Sequence, residues 1–181
     1  MAFDFEVEQC TLAGVVIFSP VAFNDERGTI WTSFDETLRQ MLNEVSPGLG
    51  GGFVHDKFVR SSQSVLRGIH GDEYTWKLVS CVAGTIQQVV VDCRPDSDTF
   101  GVYHSVVLDA SQPRSVLVPP GFGNAFLVLS GEALYHYKLA YEGDYKDAGE
   151  QFTFAWDDHL FNIDWMTDSP ILSERDRNAN K

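Results

Sequence analysis

The chain has 181 residues, 44% hydrophobic and 22% charged, with 13 phenylalanines. A chain of this length buries about 70% of its unfolded surface without a metal or disulfide staple, so residues 1–181 are expected to form one domain. The net charge of −13 disfavours polymeric nucleic acid and anionic membrane as partners, but leaves room for a small anion in a local cationic pocket.

The first residues, Met1-Ala2-Phe3-Asp4-Phe5-Glu6, carry no basic segment followed by an apolar core. No window approaches the roughly 18 apolar residues of a membrane span, so a cytoplasmic protein without signal peptide or span is expected. Cys10, Cys81 and Cys93 are odd in number and form no C-x-x-C pair. Free thiols in a reducing compartment are expected rather than a disulfide framework.

Ser33-Phe34-Asp35-Glu36 has the form of a capping box, with Ser33 at the N-cap and Glu36 three residues on. Leu38, Met41, Leu42 and Val45 then share one helical face, and Pro47-Gly48 ends the run. A short surface helix followed by a flexible glycine-rich loop, Ser46 to Gly52, is expected.

From Phe53 to Phe154 nearly every segment reads as strand. Ile86–Asp92, Ser105–Leu108 and Ser115–Val118 are rich in β-branched residues. Turn signals separate them at Ala83-Gly84-Thr85, Arg94-Pro95-Asp96-Ser97, Asp109–Pro113 and Pro119-Pro120-Gly121. The spacing predicts an antiparallel all-β sandwich or barrel. The polar tail from Asp157 is expected to anchor through Trp165, Ile171 and Leu172, with a few short helical turns.

The five histidines form no H-x-H or H-x-x-x-H pair, so no metal site is expected. In Val65-Leu66-Arg67-Gly68-Ile69-His70, an extended chain puts Arg67 and His70 on opposite faces. A bulge or bend at Gly68 would bring both into one cavity. Lys77 sits in an apolar strand, either as a snorkelling edge residue or as a buried cation for developing negative charge. Alternation puts Tyr135, Tyr137 and Leu139 on one face of their strand, as packing residues or as a phenol aimed into a barrel.

These segments together resemble the nucleotide-sugar 3,5-epimerases typified by dTDP-4-dehydrorhamnose 3,5-epimerase. The matches run in order from about Phe18 to Asp176. They are Asp25-Glu26-Arg27-Gly28, Val65 to His70, Lys77-Leu78-Val79, and Val91 to Gly101. Val118 to Phe122, Tyr137-Lys138, Ile163-Asp164-Trp165 and Leu172 to Asp176 complete the set. The resemblance implies a cupin-type double-stranded β-helix, or jelly roll, with a few short peripheral helices.

It also implies a cofactor-independent reaction on a nucleoside-diphospho-4-keto sugar. His70 matches the base and Asp176 its carboxylate partner. Lys77 matches the cation beside the C4 oxygen, and Tyr137 the opposite-face acid. Arg27 and Arg67 match positions that contact diphosphate and nucleotide. His55, Lys57 and Asn124 stand where the family has Gln, Asn and His, and the acid expected on the strand after Lys77 is Gln88. Lys57, Arg60, Arg67 and Lys77 form a basic group where the site is expected, and Arg60 is counted with it as substrate-binding. The family is dimeric, so a homodimer follows from the resemblance.

The departures resemble a branch acting on GDP-linked 4-keto heptoses in capsule and surface-polysaccharide synthesis, and that substrate is the leading expectation. The alternatives are a C3-only or C5-only epimerase of a dTDP-4-keto-6-deoxyhexose, a related ketoisomerase, and a non-catalytic cupin used for binding or regulation.

Overall fold

The computed structural model describes residues 5–49 and 52–179. The readings on Met1–Asp4 and on Gly50-Gly51 of the glycine-rich stretch lie outside these residues.

In chain order the strands are β1 (Phe5–Gln9), β2 (Val16–Pro20), β3 (Phe23–Asp25) and β4 (Gly28–Ile30), then helix α1 (Glu36–Val45) and a 3-10 turn at Pro47–Leu49. Next come β5 (His55–Ser62), β6 (Leu66–Gly71), β7 (Trp76–Ala83), β8 (Thr85–Asp92), β9 (Tyr103–Asp109) and β10 (Ser115–Val118). Last are β11 (Phe122–Val128), β12 (Glu132–Ala140), β13 (Phe152–Thr153) and the short helix α2 (Glu174–Arg177). The strands expected around Ile86–Asp92 and Ser105–Leu108 extend slightly beyond those limits, and β10 matches its expected range.

The strands form a six-stranded sheet, β1-β2-β10-β7-β12-β5, and a five-stranded sheet, β13-β6-β11-β8-β9. Their ladders are antiparallel. The sheets face one another in a jelly-roll sandwich. Ile17, Val79, Val116 and Tyr135 from the first meet Ile86, Val90 and Phe126 from the second in one buried cluster. Alternation along each strand supplies these inward residues.

Helix α1 covers the outer face of the six-stranded sheet. Leu38 and Leu42 are buried against Val16, Phe18, Leu78, Leu117 and Ala140, as their helical spacing predicts. The cap is Asp35 rather than Ser33. Its carboxylate accepts from the Leu38 amide at 2.9 Å. The helix therefore starts at Glu36, which pairs with Arg39 instead of closing a capping box. The outer face of the five-stranded sheet is covered by the tail. Phe154, Phe161, Ile163 and Trp165 pack on Ile69, Val89, Val91 and Ala125. Ile171 is an anchor of another kind. Its side chain is exposed, and its backbone ties to Ser64 and Leu66 at 2.8 and 3.0 Å.

Among the described residues no helix is long and apolar enough to cross a membrane. Cys10, Cys81 and Cys93 are free thiols. Burial lifts Cys81 to about 11 and Cys93 to about 12, so both stay protonated at neutral pH.

Candidate active site

A cavity of about 280 Å³ opens between the sheets. β5, β7 and β12 contribute Lys57, Val59, Lys77, Tyr137 and Leu139; β6 and β11 contribute Arg67, His70 and Asn124. The loop before β13 and the C-terminal segment add Tyr145, Gln151, Ser173, Arg175 and Asp176.

Arg67 and His70 reach the same cavity because β6 is bulged. Arg67 pairs with Phe126 and His70 with Asn124, three steps on β6 against two on β11. Gly68 takes up the extra residue at φ +128°, and a Cβ there would lie 2.4 Å from the Ala125 Cβ. Only glycine accommodates both requirements.

His70 Nε2 lies 2.5 Å from Asp176 Oδ1. The carboxylate thus receives Nε2–H and leaves Nδ1 as the free lone pair. Ser173 donates to the other carboxylate oxygen at 2.8 Å and also caps α2. Burial pushes the Asp176 carboxyl up, but the His70 and Ser173 hydrogen bonds and the His70 and Arg175 charges outweigh it and hold it below the usual range. An imidazole so fixed in orientation and tautomer can take a proton and be stabilised as imidazolium.

Lys77 is only 5% exposed. Among the described residues its Nζ has no hydrogen-bond partner, and Asp72 Oδ2 stands 4.0 Å away. Burial lowers its pKa, while Asp72 and then Cys93 oppose that shift. A buried ammonium with vacant donors suits an oxygen that gains negative charge. Tyr137 holds its proton firmly. Burial raises its pKa well above that of a free phenol, with a smaller opposing effect of Arg67.

The substrate-binding candidates divide. Lys57, Arg67 and Asn124 line the cavity. Lys57 donates to the Tyr145 hydroxyl at 3.3 Å, and Arg67 to Ser61 Oγ at 3.0 Å. His55 stands behind the rim, bonded to the Tyr141 hydroxyl at 3.2 Å with its ring 5.0 Å from that of Tyr145. Arg60 points away. Strand alternation puts Lys57 and Val59 inward and Arg60 outward, where it pairs with Glu132 at 2.8 Å. Arg27 lies in the β3–β4 hairpin, 84% exposed and paired with Asp25. Within one chain neither Arg60 nor Arg27 lines the cavity.

Sequence reasoning missed Asp72, Tyr145 and Arg175. Asp72 is buried and accepts from the Tyr74 and Thr75 amides at 2.9 and 2.6 Å while facing Lys77. Its signal in the sequence was an acid immediately after the His70-Gly71 step. Arg175 adjoins Asp176 in a segment quoted for the resemblance, and it is held by Thr153 at 2.8 Å.

A jelly roll that gathers a His–carboxylate pair, a buried lysine and an un-ionised tyrosine in one cavity defines a proton-transferring isomerase. The model of the dTDP-4-dehydrorhamnose 3,5-epimerase family matches residues 9–181. The dTDP-4-dehydrorhamnose 3,5-epimerase of Shigella flexneri is 37% identical over 92% of this chain and 90% of its own. The crystal structure of dTDP-6-deoxy-D-glucose-3,5-epimerase from Legionella pneumophila, in complex with dTDP-4-keto-L-rhamnose, matches at TM-score 0.87 and 32% identity, covering 97% of this chain and 92% of that one. ChmJ, a 3'-monoepimerase from Streptomyces bikiniensis in complex with dTDP-quinovose, matches at TM-score 0.82 and 30% identity, over 94% and 84% of the two chains.

The chain belongs to the dTDP-4-dehydrorhamnose 3,5-epimerase family and is an isomerase acting on a nucleotide sugar. The expected GDP-heptose branch is not shown. These relatives are dTDP-sugar enzymes by name or ligand.

Proposed function

We propose that the protein inverts C3 and C5 of a dTDP-4-keto-6-deoxyhexose. The observation that carries the reading is the convergence of His70, Lys77 and Tyr137 in one cavity, with His70 Nδ1 unpaired among the described residues. The 4-keto group acidifies the neighbouring C–H bonds. His70 Nδ1 takes the proton, and the C–H electron pair becomes an enolate whose charge rests on the C4 oxygen beside Lys77. Tyr137 returns a proton from the opposite face. Exchange of His70 and Tyr137 with solvent resets the site, so the step needs no cofactor. Lys57, Arg67 and Arg175 form the cationic rim for the diphosphate.

Mixing the protein with the dTDP-linked 4-keto sugar in deuterated water, and following C3 and C5 by NMR, tests the reading. Deuterium at both positions is expected, and none at either overturns it. Label at C3 alone would establish the narrower reading, which the likeness to a 3'-monoepimerase favours. Running GDP- and UDP-linked sugars beside the dTDP form decides the nucleotide.

We infer also that two copies pair. Among the described residues the strands of the β3–β4 hairpin pair only with each other, and the hairpin exposes Phe23 and Ile30 beside Arg27, which suits a surface laid on a second chain. A light-scattering mass of one chain would exclude it. A cytoplasmic location is supported by the three free thiols.

A further inference from the structure

Behind the cavity wall lies a buried cluster of neutral side chains, Gln88 on β8, Asn124 on β11 and Tyr135 on β12. Gln88 and Tyr135 are fully buried, and Asn124 lies at the cavity surface. Gln88 Nε2 sits 3.1 Å from the Val89 carbonyl oxygen and 2.8 Å from Asn124 Oδ1. The Tyr135 hydroxyl lies 2.6 Å from Gln88 Oε1 and 3.3 Å from Asn124 Oδ1.

Hydrogen-bond roles leave this cluster one arrangement. A backbone carbonyl only accepts, so the Val89 oxygen requires the NH₂ end of Gln88 on its side. The second N–H of that group then needs an acceptor, which fixes Asn124 with Oδ1 toward Gln88. Tyr135 supplies its single O–H to Gln88 Oε1, which completes the glutamine. Asn124 Nδ2 is left pointing away from the cluster, and none of the described hydrogen bonds uses it. Asn124 lines the cavity that holds Lys77 and His70, and it pairs directly with His70 across the β6–β11 ladder.

We infer that Asn124 is a catalytic residue that donates an N–H to the substrate's C4 oxygen alongside Lys77, and that Gln88 and Tyr135 are positioning residues that hold its amide in the donating orientation. The identity of that oxygen rests on the epimerase reading above; the orientation of the amide does not. The device supplies a neutral, preorganised donor next to a buried cation. It adds stabilisation for the enolate without a second buried charge, whose desolvation would be costly. Because amides do not titrate, this donor works at any pH the fold survives.

Two measurements test it. In the unaltered protein labelled with nitrogen-15, both side-chain N–H protons of Gln88 should exchange slowly with solvent, and those of Asn124 fast. Equal rates would overturn the relay. In the deuterium assay, Asn124→Asp replaces the donor with an acceptor at constant size. Loss of one such donor typically lowers kcat by about 100-fold or more, and KM should change less than about threefold. Gln88→Glu offers Asn124 an acceptor, turns its amide round, and should lower kcat in the same way while KM holds. Tyr135→Phe leaves the Val89 anchor in place and should cost less than tenfold, by roughly the loss of one neutral hydrogen bond. Turnover of Asn124→Asp within twofold of the unaltered protein would overturn the catalytic role. Absence of exchange in the unaltered protein would overturn the epimerase reading instead, and the relay would then be decided by the amide-proton rates.

Discussion

The inner and outer parts of the cavity are built differently. The inner part takes His70, Lys77, Asn124 and Tyr137 from four strands of two sheets, each strand fixed by ladders on both sides. The outer part takes Tyr145, Asp147, Ala148 and Gln151 from the connection between β12 and β13, with Lys57 from the edge strand β5. Groups that move protons need their positions held within a fraction of an ångström, and strands provide that. Groups that grip a flexible diphosphate tolerate more play, and a loop with an edge strand suffices.

Substitutions at the two levels should separate kcat from KM. His70→Asn removes the proposed base and is expected to lower C–H exchange by about 10³-fold or more at every position, with nucleotide affinity kept. Full turnover in that variant would remove the base assignment. Tyr137→Phe should abolish inversion while deuterium still enters, since only the returning proton is lost; inversion at the unaltered rate would break the two-face scheme. At the outer level, Lys57→Ala should raise KM by about tenfold, the worth of one charge-assisted contact, with kcat nearly unchanged. A fall in kcat alone would erase the distinction drawn here.

A smaller effect concerns acid stability. The Asp176 carboxyl is held below its ordinary value in the folded state. Its contribution to stability is therefore complete above the unfolded carboxylate pKa and is lost as pH falls through the folded one. Asp176→Asn should flatten that part of the acid-unfolding curve, and an unchanged curve would contradict the assignment. Smallest is Asp35→Ala, away from the cavity, which should cost about 1 kcal/mol of stability by thermal unfolding and leave turnover alone.

Much of this was legible in the residues. The helical face of α1, the punctuated strands from Thr85 to Val118, and the need for a bend at Gly68 all follow from spacing and turn chemistry. The cap was misread because Ser33 and Asp35 both suit the position, and only the observed start of the helix chooses between them. Arg60 could have been excluded by counting parity from Lys57 along β5. Asp72 was visible only as an acid after His70-Gly71, since its approach to Lys77 depends on a turn whose closure is set by tertiary packing. The orientation of Asn124 was equally hidden, since it depends on partners on β8 and β12, distant in sequence.

The extra residue in β6 has a consequence for how this strand can change. Between Arg67 and His70 the chain counts three while its neighbour counts two. Deleting any one residue there would leave a regular, well-paired strand, and a protein that still folds. Arg67 and His70, then two residues apart, would still share the chamber; flattening the bulge without removing a residue would instead turn one of them through half a pleat and out of it. Gly68 thus matters to the site without carrying any chemistry, because its backbone lets a strand that is one residue too long keep both groups on one side.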